Sequence, residues 1–251
     1  MQQARESKVA AATLSFWIVK ILATTLGETA GDTLSMTFDF GYLASTAIFV
    51  AVLLVLATAQ VRAERFHPAL YWATIIASTT AGTTLADFAT RSLGIGYAGG
   101  SALLLALVIA SLAAWHFATG AVKVDHLIDR RSEWFYWLTI SMSQTLGTAL
   151  GDWTADTNGL GYLGGATLFA IALAVIAALY FLTRLNRVAL FWAAFILTRP
   201  LGATVGDFLD KPVAKGGLEF SRPIASAVLL AVIVLLVAVL PQRAKGAVTP
   251  D

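Results

Sequence analysis

The sequence predicts an all-α membrane protein: eight transmembrane helices built as four parallel two-helix repeats, the first helices forming a pseudo-four-fold inner cluster. Three observations predict it. The first is composition. Of 251 residues, 58% are hydrophobic and 13% charged, where a soluble domain carries about 25% charge, and the mean hydropathy is +0.76. That much charge does not cover a water-facing surface, so an ordinary soluble domain, a disordered chain and a disulfide scaffold are excluded; Cys is absent. The formal net charge of +2 gives no reason to expect a nucleic-acid partner.

The second observation is an internal repeat. An aromatic-Trp pair occurs as Phe16-Trp17, Tyr71-Trp72, Tyr136-Trp137 and Phe191-Trp192. Ten residues after each Trp stands Gly27, Gly82, Gly147 or Gly202, and five residues later Asp32, Asp87, Asp152 or Asp207. A small residue (Gly31, Ala86, Gly151, Gly206) precedes each Asp. The copies are offset by 55, 65 and 55 residues. They divide one polytopic domain, 1–251, into repeats 9–65, 66–130, 131–185 and 186–245, with 121–133 read as a cytoplasmic linker between halves. Gly-Tyr pairs follow in three copies, and the fourth substitutes a polar loop from Asp210 to Arg222.

The third observation is apolar stretch length. First helices are predicted over 14–34, 69–90, 134–154 and 188–209, and second helices over 42–59, 97–119, 162–182 and 224–240. Most approach the roughly 20 residues that cross a bilayer. In lipid the backbone must satisfy its own hydrogen bonds, which favours helices over open strands. Lys20 interrupts the first stretch, so it reads as a retained helix rather than a cleaved signal. An even number of helices per copy gives every copy one orientation. Arg and Lys crowd the ends before each first helix (Arg62, Arg65, Arg130, Arg131, Arg184, Arg187), so both termini are expected in the cytoplasm of a bacterial inner-membrane protein. The Trp residues are then expected in the cytoplasmic aromatic belt, and the four Asp near the outer face.

This arrangement resembles a bacterial membrane-anchored protein family of four tandem repeats of unknown function, each with two transmembrane segments and a Trp. Trp17, Trp72, Trp137 and Trp192 match that pattern across nearly the whole chain. The resemblance implies the topology and no activity. The stretch Glu28-Thr-Ala-Gly31-Asp32 is also similar to the Glu-x-Gly-Asp motif of manganese and calcium exchangers, with one extra residue.

Within the repeat, Gly27/Gly31, Gly147/Gly151 and Gly202/Gly206 are small-xxx-small pairs that let helices approach closely in lipid. Asp is disfavoured near a helix C-terminus, where the macrodipole is already negative. Either each Asp caps the following turn, or four carboxylates converge at one mouth and attract hard cations or protons. Three residues before each Gly stand Thr24, Thr79, Gln144 and Arg199; one residue after stand Glu28, Thr83, Thr148 and Ala203. Glu28 lies about 16 Å of rise past its Trp, a depth at which ionisable groups need a partner or a wet cavity. Glu28 and Arg199 are therefore expected to meet, as a static lock or as a gate. Lys20 is expected to snorkel to the cytoplasmic face. Pro200 frees the carbonyl of Ile196, leaving a kink or part of a broken-helix ion site.

No cofactor fingerprint, nucleophile–base pair or His metal spacing is present, so an enzyme and a bound cofactor are not expected. The expected function is a small-solute transporter or permeation pathway, for a hard cation or proton-coupled, with the bilayer and a small ion as partners. The alternatives are a non-transporting scaffold or partner subunit, or a path whose Lys20 and Arg199 recognise an anion. The sequence does not specify a metal or an oligomeric state.

Overall fold

The computed structural model describes residues 7–120, 122, 129–157 and 159–244. Among the described residues are eight long helices: α1 (Leu14–Asp32), α2 (Gly41–Arg62), α3 (Pro68–Asp87), α4 (Gly96–Thr119), α5 (Arg130–Asp152), α6 (Gly161–Leu182), α7 (Arg187–Asp210) and α8 (Arg222–Val239). Most of the segment read as a linker, residues 121 and 123–128, lies outside the described residues, as does His126; its far end, from Arg130, is already α5.

The helix starts follow local chemistry. The Thr13 and Asn186 side chains accept backbone N–H bonds at the starts of α1 and α7, and Asp129 does so for α5, satisfying donors that a helix end leaves free. Pro68 and Pro223 occupy first-turn positions, where a missing N–H costs nothing. In the first three copies the inner helix runs into a π-helical turn: Thr33–Thr37, Phe88–Ser92 and Trp153–Thr157. The chain then reverses through Gly41, Gly96 and Gly161, each at positive φ (71°, 71° and 67°). Only Gly adopts that conformation without a Cβ penalty, which accounts for the Gly of the Gly-Tyr pairs.

The odd-numbered helices contact one another in a closed cycle, α1 to α3 to α5 to α7 and back to α1. Each even-numbered helix packs mainly on the inner helix of the next copy: α2 on α3, α4 on α5, α6 on α7 and α8 on α1. The last hairpin thus closes the cycle on the first.

One register governs all four inner contacts. A Cβ built on Gly27 would strike Thr79, on Gly82 Gln144, on Gly147 Arg199 and on Gly202 Thr24. One turn on, Gly31 faces Thr83, Gly151 faces Ala203 and Gly206 faces Glu28. The pairs Gly27/Gly31 and Gly202/Gly206 are therefore double sockets for polar residues of the neighbouring helix, and Gly147/Gly151 takes Arg199 and Ala203.

Burial divides the helices. Inner positions are sealed, whereas α2, α4, α6 and α8 display Leu54, Val55, Ile109, Ile171 and Leu235 at the surface. Five helices (α2, α4, α6, α7 and α8) are long and apolar enough to cross a membrane.

The aromatic pairs depart from expectation. Trp72, Trp137 and Trp192 are buried, packed with Phe16, Tyr71, Tyr136 and Trp115 of α4. The Tyr71 and Tyr136 hydroxyls hydrogen-bond at 2.9 Å, and Trp115 meets Tyr136 and Trp192 edge-on. These rings close one end of the inner cluster instead of lining a lipid-facing belt. The period explains part of it: Tyr71 and Tyr136 stand four residues before the buried Ile75 and Ile140, on the same inward face of their helices, and the adjoining Trp rings pack against them. Trp17 is only partly buried.

Candidate functional site

The side chains enclosed by α1, α3, α5 and α7 form layers. Next to the aromatic plug lie Lys20, Ile75, Ile140 and Phe195; then Thr24, Thr79, Gln144 and Arg199; then Glu28, Thr83, Thr148 and Ala203; then the four Asp. All sixteen are buried. The spacing of four residues between successive layers on every inner helix keeps each set on the same inward face.

Arg199 is the hub. It is 0% exposed, and its Nη2 donates to Glu28 Oε2 at 3.0 Å and to the hydroxyls of Thr83 and Thr148 at 2.5 Å. Nη1 reaches the Thr24 carbonyl at 3.4 Å. Glu28 and Arg199 thus meet as expected, with all four inner helices contributing to the arrangement. Truncating one partner of such a pair strands a buried charge, at a cost of about 3–5 kcal/mol. Gly147 makes the geometry possible, because a Cβ there would overlap the Arg199 side chain. Helix α7 passes unbroken through Pro200, and the Pro ring packs toward Gly147.

Lys20 contradicts the snorkelling expectation. It is 0% exposed, and its Nζ sits 4.2 Å from the centroid of the Phe195 ring. Helical side chains lean toward the N-terminus, and in that direction the aromatic plug blocks the way out. Its Nζ has no hydrogen-bond partner. The same holds for both amide atoms of Gln144, the Thr79 hydroxyl and Arg199 Nε.

The four Asp act as paired carboxylates. Asp32 and Asp87 make no side-chain cap to the π-helical turns that follow them. Instead, Arg91 bridges Asp87 (3.0 Å) and Asp152 (3.2 Å), and Lys211 bridges Asp207 (3.0 Å) and Asp32 (2.5 Å). Arg222 adds contacts to Asp210 at 3.3 Å and Asp32 at 3.8 Å. The carboxylates also lie within electrostatic reach of one another across the two pairs. Burial alone would lower the pKa of Lys211, yet Asp207, Asp32 and Asp210 hold it well above the ordinary lysine value. Asp87 and Asp152 likewise raise that of Arg91 against the effect of burial.

The fourth-copy loop positions Lys211. Leu218 N–H bonds the Phe208 carbonyl, Phe220 N–H that of Leu209, and Glu219 N–H that of Lys211 itself, folding the loop onto the end of α7. Glu28, Asp32 and Asp207 bring carboxylate oxygens within 4.8 Å of one another. Among the described residues this trio has the spacing of metal ligands, and the tethered Lys211 ammonium already lies against two of its members.

Sequence reasoning found the Asp, the glycines, Glu28 and Arg199. It missed Arg91 and Lys211 as their partners, although Asp87/Arg91 and Asp207/Lys211 stand at the i,i+4 spacing that brings opposite charges together on a helix.

Four segments, 15–66, 70–121, 135–186 and 190–243, match the family model described as Repeat of Unknown Function (DUF347). No curated protein and no solved structure matches the chain.

Proposed function

Because the chain belongs to this repeat family, whose description names no activity, we propose a function from the geometry itself: a small-solute transport path along the axis of the inner helices, proton-coupled and closed in the present conformation. All eight helices cross the bilayer in this reading. Five meet the length and apolarity of a span unaided; α1, α3 and α5 are more polar because their neighbours shield them from lipid. The exposed Leu, Ile and Val of the outer helices would form a large apolar surface in water, which suits acyl chains. Both termini face the cytoplasm of a bacterial inner membrane, on the Arg and Lys bias of that end.

One observation carries the proposal: the enclosed axis is ionisable and incompletely paired. A framework needs neither a lone Lys nor a partnerless Gln at its centre, and such groups are costly to bury. Glu28 with Arg199 is the internal gate, the aromatic plug closes one end, and the paired Asp form the opposite mouth. The basic side chains of Lys20 and Arg199 on the axis oppose free passage of a hard cation, which favours proton coupling over metal permeation. The second reading, a non-transporting scaffold or partner subunit, draws on the close Glu28–Arg199 pairing.

The test is flux in proteoliposomes under imposed gradients of H⁺, Na⁺, Mg²⁺ and Mn²⁺, with Glu28→Gln and Asp32→Asn as controls. Proton-dependent flux reduced at least tenfold by Glu28→Gln supports the path. Flux unchanged by both substitutions, or none from folded protein, favours the scaffold.

A further inference from the structure

We infer that the layer between the aromatic plug and the Glu28–Arg199 pair is a binding site for a small monovalent carboxylate, held by Lys20, Arg199, Gln144 and Thr79. This rests on the axial path proposed above and names its cargo class.

Start with the unmet groups. Lys20 Nζ, Arg199 Nε, Gln144 Nε2 and the Thr79 hydroxyl all lack partners, and all four residues are 0% exposed. They come from α1, α7, α5 and α3, one from each inner helix. Three of the residues share a single layer, because Gly27, Gly82 and Gly147 receive Thr79, Gln144 and Arg199 in one register. Lys20 lies one turn below. It is tied to the same neighbourhood by Phe195, one turn before Arg199.

Charge decides the ligand class. The enclosed segment carries Lys20 and Arg199 against the single carboxylate of Glu28. Water could satisfy the free donors but would leave a protonated Lys20 uncompensated. An acceptor-rich anion does both. A carboxylate offers two oxygens able to accept from the Lys20 ammonium and the Arg199 Nε–H together, with Gln144 and Thr79 at the sides. The complete enclosure of all four residues restricts it to a small one. The rim Asp stand at the other end and would repel an unescorted anion, so entry with a proton follows naturally.

The experiment uses the full chain in detergent and follows unfolding by tryptophan fluorescence. Sodium formate is titrated against sodium gluconate at constant total sodium; gluconate carries the same carboxylate on a larger body. The expected result is a saturable rise in the melting midpoint with formate and none with gluconate. Lys20→Met should abolish the response and melt above the wild type in gluconate, because a buried amine without a partner is gone. Should Lys20→Met fail to fold, Gln144→Leu is expected to weaken formate at least tenfold. A wild-type midpoint indifferent to formate overturns the inference, as does an equal response in Lys20→Met, or unchanged formate affinity in Gln144→Leu. Flux separates the two proposals. Formate stabilisation without movement of any solute across vesicles supports the site and defeats the path. Proton-dependent flux without formate stabilisation does the reverse.

Discussion

Two junctions of the ring are built alike and used differently. Where α3 meets α5, Arg91 joins Asp87 to Asp152; where α7 meets α1, Lys211 joins Asp207 to Asp32. Each cation stands four residues after its own Asp and reaches the Asp of the next copy. Below this rim they diverge. The α3–α5 junction holds Thr83, Gln144 and Thr148, whereas the α7–α1 junction holds Arg199, Glu28 and Lys20. Arg91 is clamped by the Tyr42 hydroxyl and lies near the Tyr97 ring. Lys211 is held by a folded loop and shares its carboxylates with Arg222. The repeat supplies the frame, and the closing junction concentrates the ionisable chemistry. An interface made between the first and last copies can diverge without disturbing the repeated contacts elsewhere.

The largest expected effect comes from breaking the closing junction at its centre. Arg199→Met leaves Glu28 buried and unpaired and should destabilise by about 3–5 kcal/mol, measured by denaturant titration in mixed micelles. The Thr83 hydroxyl still reaches Glu28 Oε2 at 3.4 Å, but one neutral donor offsets only part of the loss. Next is the socket that admits Arg199. Gly147→Ala should cost about 1–3 kcal/mol, because the added methyl overlaps Arg199. Gly151→Ala, whose nearest obstacle is the Ala203 methyl at 3.1 Å, should cost less in the same titration.

The rim pairs sharpen the comparison further. Lys211→Met should destabilise by about 2 kcal/mol, since Asp207 and Asp32 are then buried without their shared cation. Arg91→Met should cost less, because Arg91 is 28% exposed and water screens what remains. Equal losses would show that the two junctions are energetically equivalent. The smallest effect is expected in the plug. Tyr71→Phe removes one hydroxyl bond and should cost about 1 kcal/mol, and adding Tyr136→Phe should restore part of it by removing the stranded partner.

Much of this was legible from spacing alone. The Trp, Gly and Asp intervals located the inner helices, and the facing positions of Glu28 and Arg199 followed from an apolar surround that leaves ionised groups no other partner. The sockets were less legible. A small-xxx-small pair announces close approach, but which residue it receives depends on the stagger between neighbouring helices. Lys20 was misread because snorkelling is a property of a helix exposed to lipid, and α1 is enclosed. Arg91 and Lys211 are not legible as partners of the Asp because they follow the apolar stretch. Their roles depend on the π-helical turn and the folded loop that bring the chain back over the axis.

The central claim is that the Glu28–Arg199 pair serves passage along the axis rather than stability. The direct measurement is proton-dependent flux through proteoliposomes containing Glu28→Leu/Arg199→Met, alongside its unfolding midpoint. Removing both charges strands neither, so stability should return close to that of the wild type while flux falls at least tenfold. A stable double variant that still conducts at the wild-type rate would contradict the account.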